Sequence, residues 1–198
     1  MSSYDQTIYD IAIKNGFSPI SAKLVVAQAR FESADYNSNV FKNNFNTSGM
    51  KFIGQPLASR GTLAPFDERS GECKRTGVCK NSDYYAKFNS VEDSATDKIV
   101  RLYSKTISGV TPEQLKNVRD AKEFAELLKK RGYYGFGKYG TDLANKEIKN
   151  YTNGLNAKLV RINIAEFIKE NPKTTSAGIL ILFGFLGYYI YWLFKKNK

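Results

Sequence analysis

The chain has 198 residues, a quarter of them charged, with a formal net charge of +11 and no histidine. That length holds one domain of ordinary size plus an appendage. The missing histidine excludes Ser-His and Cys-His nucleophilic catalysis, His-ligated zinc and imidazole acid–base chemistry.

Only two cysteines are present, so a structural thiolate zinc site is excluded as well and no cofactor is expected. Enzymatic chemistry would fall to carboxylates, Tyr, Lys or Ser, and glycoside hydrolysis is the first class to consider. The positive charge suits a polyanionic partner: nucleic acid, anionic lipid or an acidic cell-wall polymer. Lys and Arg are spread along the chain without a basic arm or a nucleic-acid motif, and nucleic acid is not expected. The 13 Tyr and 13 Phe suit stacking on sugar faces, and they also fill cores.

In chain order, Tyr4 to Asn15 reads as a first helix closed by Gly16. Ser18 is a cap and Pro19 the first residue of a second helix. On it Ile20, Leu24, Ala27 and Phe31 share one stripe, and Val25, Gln28 and Glu32 the neighbouring one. Glu32 therefore lies at the edge of the buried face. It is shielded by the helix on one side and open on the other to the polar segment Asn46 to Lys51, a setting for a general acid. The alternative is a surface Glu near a helix end.

Residues 34–89 are rich in Asn, Ser, Gly and Lys and read as loops with a small β-hairpin lobe. Within it Cys73 and Cys79 flank a Thr76-Gly77 turn and either meet across a tight hairpin as a disulfide or remain two free thiols. Ser90-x-x-Asp93 is a capping box before a helix ending near Tyr103. Thr111-Pro112 starts a short helix. Asp120 caps Ala121 to Arg131, which Gly132 stops. Asp142 caps a helix to about Tyr151, and a separate amphipathic segment, Leu155 to Lys169, leads to a break at Pro172.

From Ala177 to Phe194 the chain carries no charge. Eighteen helical residues span roughly 27 Å, enough for a bilayer core. Three glycines and a cluster of Tyr188, Tyr189, Tyr191 and Trp192 near one end fit a membrane helix. A buried core helix is the alternative. The expected layout is a catalytic domain over 1–155, an amphipathic helix and linker over 156–176, a transmembrane helix over 177–194 and a basic tail over 195–198. The amino terminus has neither a basic start nor an apolar signal core. A single-pass protein of the bacterial inner membrane or of a virion membrane is expected, touching the lipid bilayer through 177–194.

Four segments together resemble the glucosaminidase-type peptidoglycan hydrolases of glycoside hydrolase family 73, found among bacterial autolysins, flagellar rod hydrolases and phage lysins. AQARFES (27–33) is similar to that family's catalytic helix end, NTSGMKF (46–52) to its N-x-F-G-I-K loop, and YYAKFNSVEDSATDKIVRLY (84–103) to its strand and following helix. KEFAELLKKRGYYGFGKYGTDLANKEI (122–148) is similar to its helix, G-Y, Y-A-T-D and closing helix. The resemblance implies a lysozyme-like, mainly α fold with a small β-lobe. It also implies hydrolysis of the β-1,4 bond between N-acetylglucosamine and N-acetylmuramic acid in peptidoglycan glycan strands.

Glu32 would be the proton donor and Glu68 the second carboxylate, with Asp67, Glu72 or assistance by the substrate's N-acetyl group as alternatives. Tyr139 matches the Y-A-T-D tyrosine, with Tyr133 the substitute because Tyr134 to Lys138 are inserted before it. Asn46, Gly49, Lys51, Tyr133 and Tyr134 would bind substrate. The same fold also serves lytic transglycosylases, and a non-catalytic wall-binding protein is the third reading. Infection by, or lysis of the host for, a phage or membrane-containing virus is the setting that fits the missing signal peptide.

Overall fold

The computed structural model of the chain describes residues 2–170. It is mainly helical with one small antiparallel sheet, an α+β arrangement. Helix α1, Ser3–Lys14, opens with a capping box in which Ser2 and Asp5 satisfy each other's backbone N–H. Helix α2, Pro19–Glu32, has Ser18 as cap and Pro19 in its first turn. The stripe read from the sequence needs a correction: Ser21, Ala22 and every residue from Leu24 to Ala29 are buried, whereas Ile20 and Phe31 are exposed. α2 is a central helix enclosed nearly all round, packed by α1, α6 (Pro112–Lys116) and α7 (Ala121–Lys130).

After Glu32 the chain takes three left-handed residues, Ala34, Asp35 and Tyr36, at φ 52, 54 and 66°. Ser33 Oγ accepts from the Tyr36 N–H at 3.0 Å, and Arg30 donates to Asp35 at 3.2 Å. These bonds hold a conformation that costs L-residues roughly 1–2 kcal/mol each. The turn leads into α3, Asn39–Asn44, a helix capped by Ser38 where the sequence suggested only loop.

The sheet pairs β1, Ala58–Leu63, with β2, Tyr84–Phe88. Gly61 lies against β2 so closely that a Cβ would stand 2.9 Å from the Tyr85 carbonyl oxygen. Residues Met50 and Phe52 bond to the chain of β2 as well, through Ala86 N–H to Met50 O and Phe52 N–H to Tyr84 O, each 2.8 Å. The lobe is not a tight hairpin. Residues 64–83 between the strands form two short 3-10 turns and α4, Gly71–Thr76. Cys73 and Cys79 are joined as a disulfide with their Cα atoms 4.4 Å apart, across the end of α4, where Gly77 at φ 76° is a helix stop rather than a hairpin turn.

Helix α5, Val91–Thr96, is capped by Ser90 and continues in wider π-helical turns over Asp97–Tyr103. Helix α7 is capped by Asp120 as its sequence predicts. Helix α8 runs unbroken over Asp142–Glu170, through the break expected after Tyr151. Its first turn is capped by Thr141, whose hydroxyl accepts from the Ala144 N–H at 3.3 Å, so Thr141 and not Asp142 is the cap. Gly154, inside the helix where the break was expected, is a packing glycine: a Cβ there would lie 2.4 Å from the Phe31 ring. Met1–Val160 form one compact unit.

The membrane expectation is corrected. Among the described residues no helix is long and apolar enough to cross a membrane. Residues 177–194 lie outside the described residues, and the single-pass placement in a virion or inner membrane, with its lipid contact, has no support.

Candidate active site

Glu32 sits in the last turn of α2 with its side chain 14% exposed, half-buried as its place on the helix predicted. Two phenols donate to its carboxylate: Tyr133, at 2.9 Å to Oε2, from the turn after α7, and Tyr151, to Oε1, from α8. Gln28, one turn back on α2, donates to Oε1 at 3.1 Å and to the Tyr151 hydroxyl at 3.0 Å. Behind Gln28, Tyr103 donates to its carbonyl oxygen. Four elements thus meet at one carboxyl group.

Lys98, from the π-helical segment, completes the surroundings. Its side chain is 2% exposed, and Nζ lies 3.6 Å from Glu32 Oε2 without a hydrogen-bond partner. The rings of Tyr133 and Tyr103 stand 5.6 and 5.8 Å from it, within cation–π range. Burial pulls the Lys98 ammonium below its ordinary range, and Glu32 only partly offsets this. Burial, and then the charge of Glu32, push the Tyr133 and Tyr151 hydroxyls well above the ordinary phenol value. Burial and Glu32 do the same to Tyr103. All three phenols stay protonated donors at any working pH.

The loop predicted to border the site does reach it. Ser48, in that loop, works against the upward shift of the Tyr133 phenol. Asn46 is buried and shapes the loop: its amide donates to Met50 O at 2.8 Å and Ala86 O at 3.0 Å, and its oxygen accepts from the Ser48 and Met50 N–H groups. Gly49, at φ 59°, supplies the left-handed turn between them. Lys51 lies 4.1 Å over the Tyr85 ring and pairs with Glu68 at 2.6 Å.

Glu68 accepts also from the Tyr85 hydroxyl at 2.9 Å, and its side chain is 44% exposed. The Lys51 hydrogen bond, outweighing burial, holds its carboxyl below the usual range. Among the described residues, none of the contacts around Glu32 comes from Glu68 or another carboxylate. Tyr134 stacks flat on Tyr151, centroids 4.1 Å apart, and donates to Ala125 O at 2.9 Å. Tyr139 is 49% exposed and lines a cavity of about 340 Å³ with Arg119, Asp120 and Lys130. A neighbouring cavity of about 410 Å³ lies between α7 and α8. Glu32 lines neither.

Sequence reasoning singled out Glu32 and Tyr133 but missed Tyr151 and Lys98. Tyr151 falls on the buried stripe of α8 with Ala144, Ile148 and Leu155, and a polar-tipped ring on such a stripe needs a partner. Lys98 lies between buried Asp97 and buried Ile99. The widened turn that buries three residues in succession has no mark in the sequence.

Cys73, Cys79 and Asp83 lie close enough together to resemble a metal site. The cysteines are consumed by their disulfide, and Asp83 is engaged by Ser70 and by the Lys80 N–H at 2.7 Å, so the donor set does not fit a metal.

The glucosaminidase family, described as mannosyl-glycoprotein endo-beta-N-acetylglucosaminidase, matches residues 7–163. No curated protein matches. A solved type VI secretion system effector–immunity complex from Pseudomonas protegens is similar at 17% identity with a TM-score of 0.47, over 80% of this chain and 90% of that one. With most of its length matched, this chain belongs to the glucosaminidase family, and it is a glycosidase.

Proposed function

We propose that the protein is a peptidoglycan hydrolase that cleaves the β-1,4 bond between N-acetylglucosamine and N-acetylmuramic acid, with Glu32 giving its proton to the leaving oxygen. The observation that carries this reading is a half-buried carboxyl group at a helix end, oriented by two phenols and an amide and still open to solvent. Such a group is held in one rotamer and needs no reorganisation when it acts. The family match supports the class of bond, and the helical body with its small sheet suits a lysozyme-like groove. The net charge of +11 favours an anionic wall polymer as substrate.

Tyr133 takes the phenol role that the resemblance gave to Tyr139, because Tyr133 is the one bonded to Glu32. Glu68, kept ionised by Lys51 and Tyr85, has the character of the second carboxylate: a base, or the group that stabilises positive charge at the anomeric carbon. Asn46 and Gly49 hold the loop in shape, and Lys51 meets substrate beside Glu68.

Replacing Glu32 with Gln keeps the helix and removes the proton. Glu32→Gln abolishes clearing of a peptidoglycan gel while circular dichroism stays unchanged, and retained clearing removes Glu32 from the role. A lytic transglycosylase reading is kept in view by one feature: among the described residues no carboxylate touches Glu32 to prepare a water molecule. Mass spectrometry separates the two, since hydrolysis leaves a reducing end and the lyase reaction a 1,6-anhydro end.

A further inference from the structure

Four aromatic rings follow α7, and three of them have evident work or company. Tyr133 is bonded to Glu32, Tyr134 is stacked on Tyr151, and Tyr139 lines its own cavity. Phe136 is 100% exposed. A phenylalanine displayed whole to water costs apolar hydration and contributes nothing to the fold.

The loop that displays it is built with care. Glu147, from α8, accepts from the Phe136 N–H at 2.9 Å and from the Gly137 N–H at 3.1 Å, and it receives the buried ammonium of Lys129. Lys129 also donates to Tyr134 O at 3.0 Å. Gly135, at φ 70°, and Gly137 close tightly around this centre: a Cβ on either would lie 2.5 Å from Glu147 Cδ or 2.6 Å from the Ala144 nitrogen. The exposed ring therefore stands on a backbone fixed by a carboxylate, two glycines and an ion pair. A ring presented this way loses little entropy on binding.

Phe136 is three positions after Tyr133, so their Cα atoms are at most about 10 Å apart. Tyr133 touches Glu32. Counting both side chains, the ring lies within roughly 20–25 Å of the Glu32 carboxylate, a reach of about four or five sugar units along a bound strand. Its chain neighbours Gly135 and Gly137 carry no side chain that could cover either face of the ring. A single flat ring on a polar loop matches the apolar face of a pyranose.

We propose that Phe136 is the stacking platform of a glycan subsite for the strand cut at Glu32, seated on the Glu147-centred loop. The assignment rests on the reading of Glu32 as the acid in that cleavage, and the test keeps the two apart. On soluble peptidoglycan fragments, full-length Phe136→Ala raises KM roughly three- to tenfold, the value of one aromatic face, and kcat/KM falls chiefly through KM. Phe136→Trp restores the wild-type KM. Because the side chain is wholly exposed, the melting temperature of Phe136→Ala stays at the wild-type value, so misfolding does not imitate the effect.

Retention on insoluble peptidoglycan is measured in parallel for E32Q and E32Q/F136A. Weaker retention of the double variant supports the subsite even if Glu32 proves not to be the acid. Equal retention together with an unchanged KM overturns it, whatever E32Q does to the rate.

Discussion

Gly154 and Phe31 are in contact where a side chain on the glycine would overlap the ring: its Cβ would stand 2.4 Å from Cε2 and 2.7 Å from Cζ. The same ring meets Tyr151 edge-on, centroids 5.3 Å apart at 89°, and Tyr151 bonds to Glu32. The approach of α8 to α2 is thus set by a missing methyl group. In Gly154→Ala the gain in helix propensity, about 1 kcal/mol, offsets the overlap, because Phe31 is 37% exposed and its ring can swing outward. Stability changes by no more than about 1 kcal/mol, while activity falls as Tyr151 loses its brace. Denaturant melts and gel clearing on one preparation check both halves, and unchanged activity would show that the brace is dispensable.

Tyr133 and Tyr151 each give the Glu32 carboxylate a charge-assisted bond, worth about 1.5–3 kcal/mol. Tyr133→Phe and Tyr151→Phe each lower kcat/KM about ten- to a hundredfold. Tyr139→Phe is the comparison that decides the role: a loss as large as that of Tyr133→Phe would return the phenol function to Tyr139.

Lys98 is expected to cost stability in return for function. Its folded-state pKa lies below the ordinary 10.5, since burial outweighs the attraction of Glu32. Between the folded and unfolded values the unfolded chain binds more protons, so stability rises with pH across that window and is depressed below it. Lys98→Met removes that penalty. The charged and titratable groups facing the ammonium are Glu32, Tyr103 and Tyr133, and Glu32 keeps its hydrogen bonds from Gln28, Tyr133 and Tyr151. The variant should melt at a higher temperature at pH 7, with the advantage shrinking toward pH 10, while activity drops about tenfold or more. A less stable Lys98→Met would mean that the ammonium is a structural ion pair.

Asp5 tests the frame beneath the site. It is fully buried and accepts from Arg30 Nε at 2.8 Å, Arg30 Nη2 at 2.6 Å, the Tyr36 hydroxyl at 2.8 Å and the Ser2 N–H at 2.7 Å. Burial alone would raise its pKa, but the Arg30, Ser2 and Tyr36 bonds together outweigh burial and lower it below 3.8. A depressed carboxylate stabilises the fold above the unfolded value and loses that contribution as pH falls through the folded one. Asp5→Asn therefore costs on the order of 3 kcal/mol at neutral pH. The gap to wild type begins to narrow below about pH 4 and closes as pH falls through the folded value, as urea titrations at pH 6 and pH 3 would show by a smaller gap at pH 3. A gap independent of pH would mean that packing, not charge, is what Asp5 provides.

Much of this frame was legible because it depends on local chemistry. Ser18-Pro19, Ser90, Thr111-Pro112 and Asp120 each mark a helix start within one residue of the observed one, since an unsatisfied backbone N–H is a local problem with a local solution. Glu32 was legible for a similar reason, lying on the Gln28 stripe of a strongly apolar helix. The continuity of α8 past Tyr151 was not legible, because a glycine that breaks a helix and one that admits a neighbouring ring look alike until the neighbour is known. Helix α3 was hidden in Asn-rich sequence with poor propensity, and it is held instead by Ser38 and by tertiary packing of Phe41. Lys98 was invisible because burial of a charge is a property of the whole assembly.

The left-handed run from Ala34 to Tyr36 bears on how this segment can change over time. Three successive residues wind against the sense of the helix before them, and together they aim the chain into α3 while Asp35 receives both Arg30 and Lys158. Exchanging a side chain there alters a bond or two. Adding or removing a residue between Glu32 and Ser38 would rotate all that follows out of phase, so this stretch should accept new residue types far more readily than a new length.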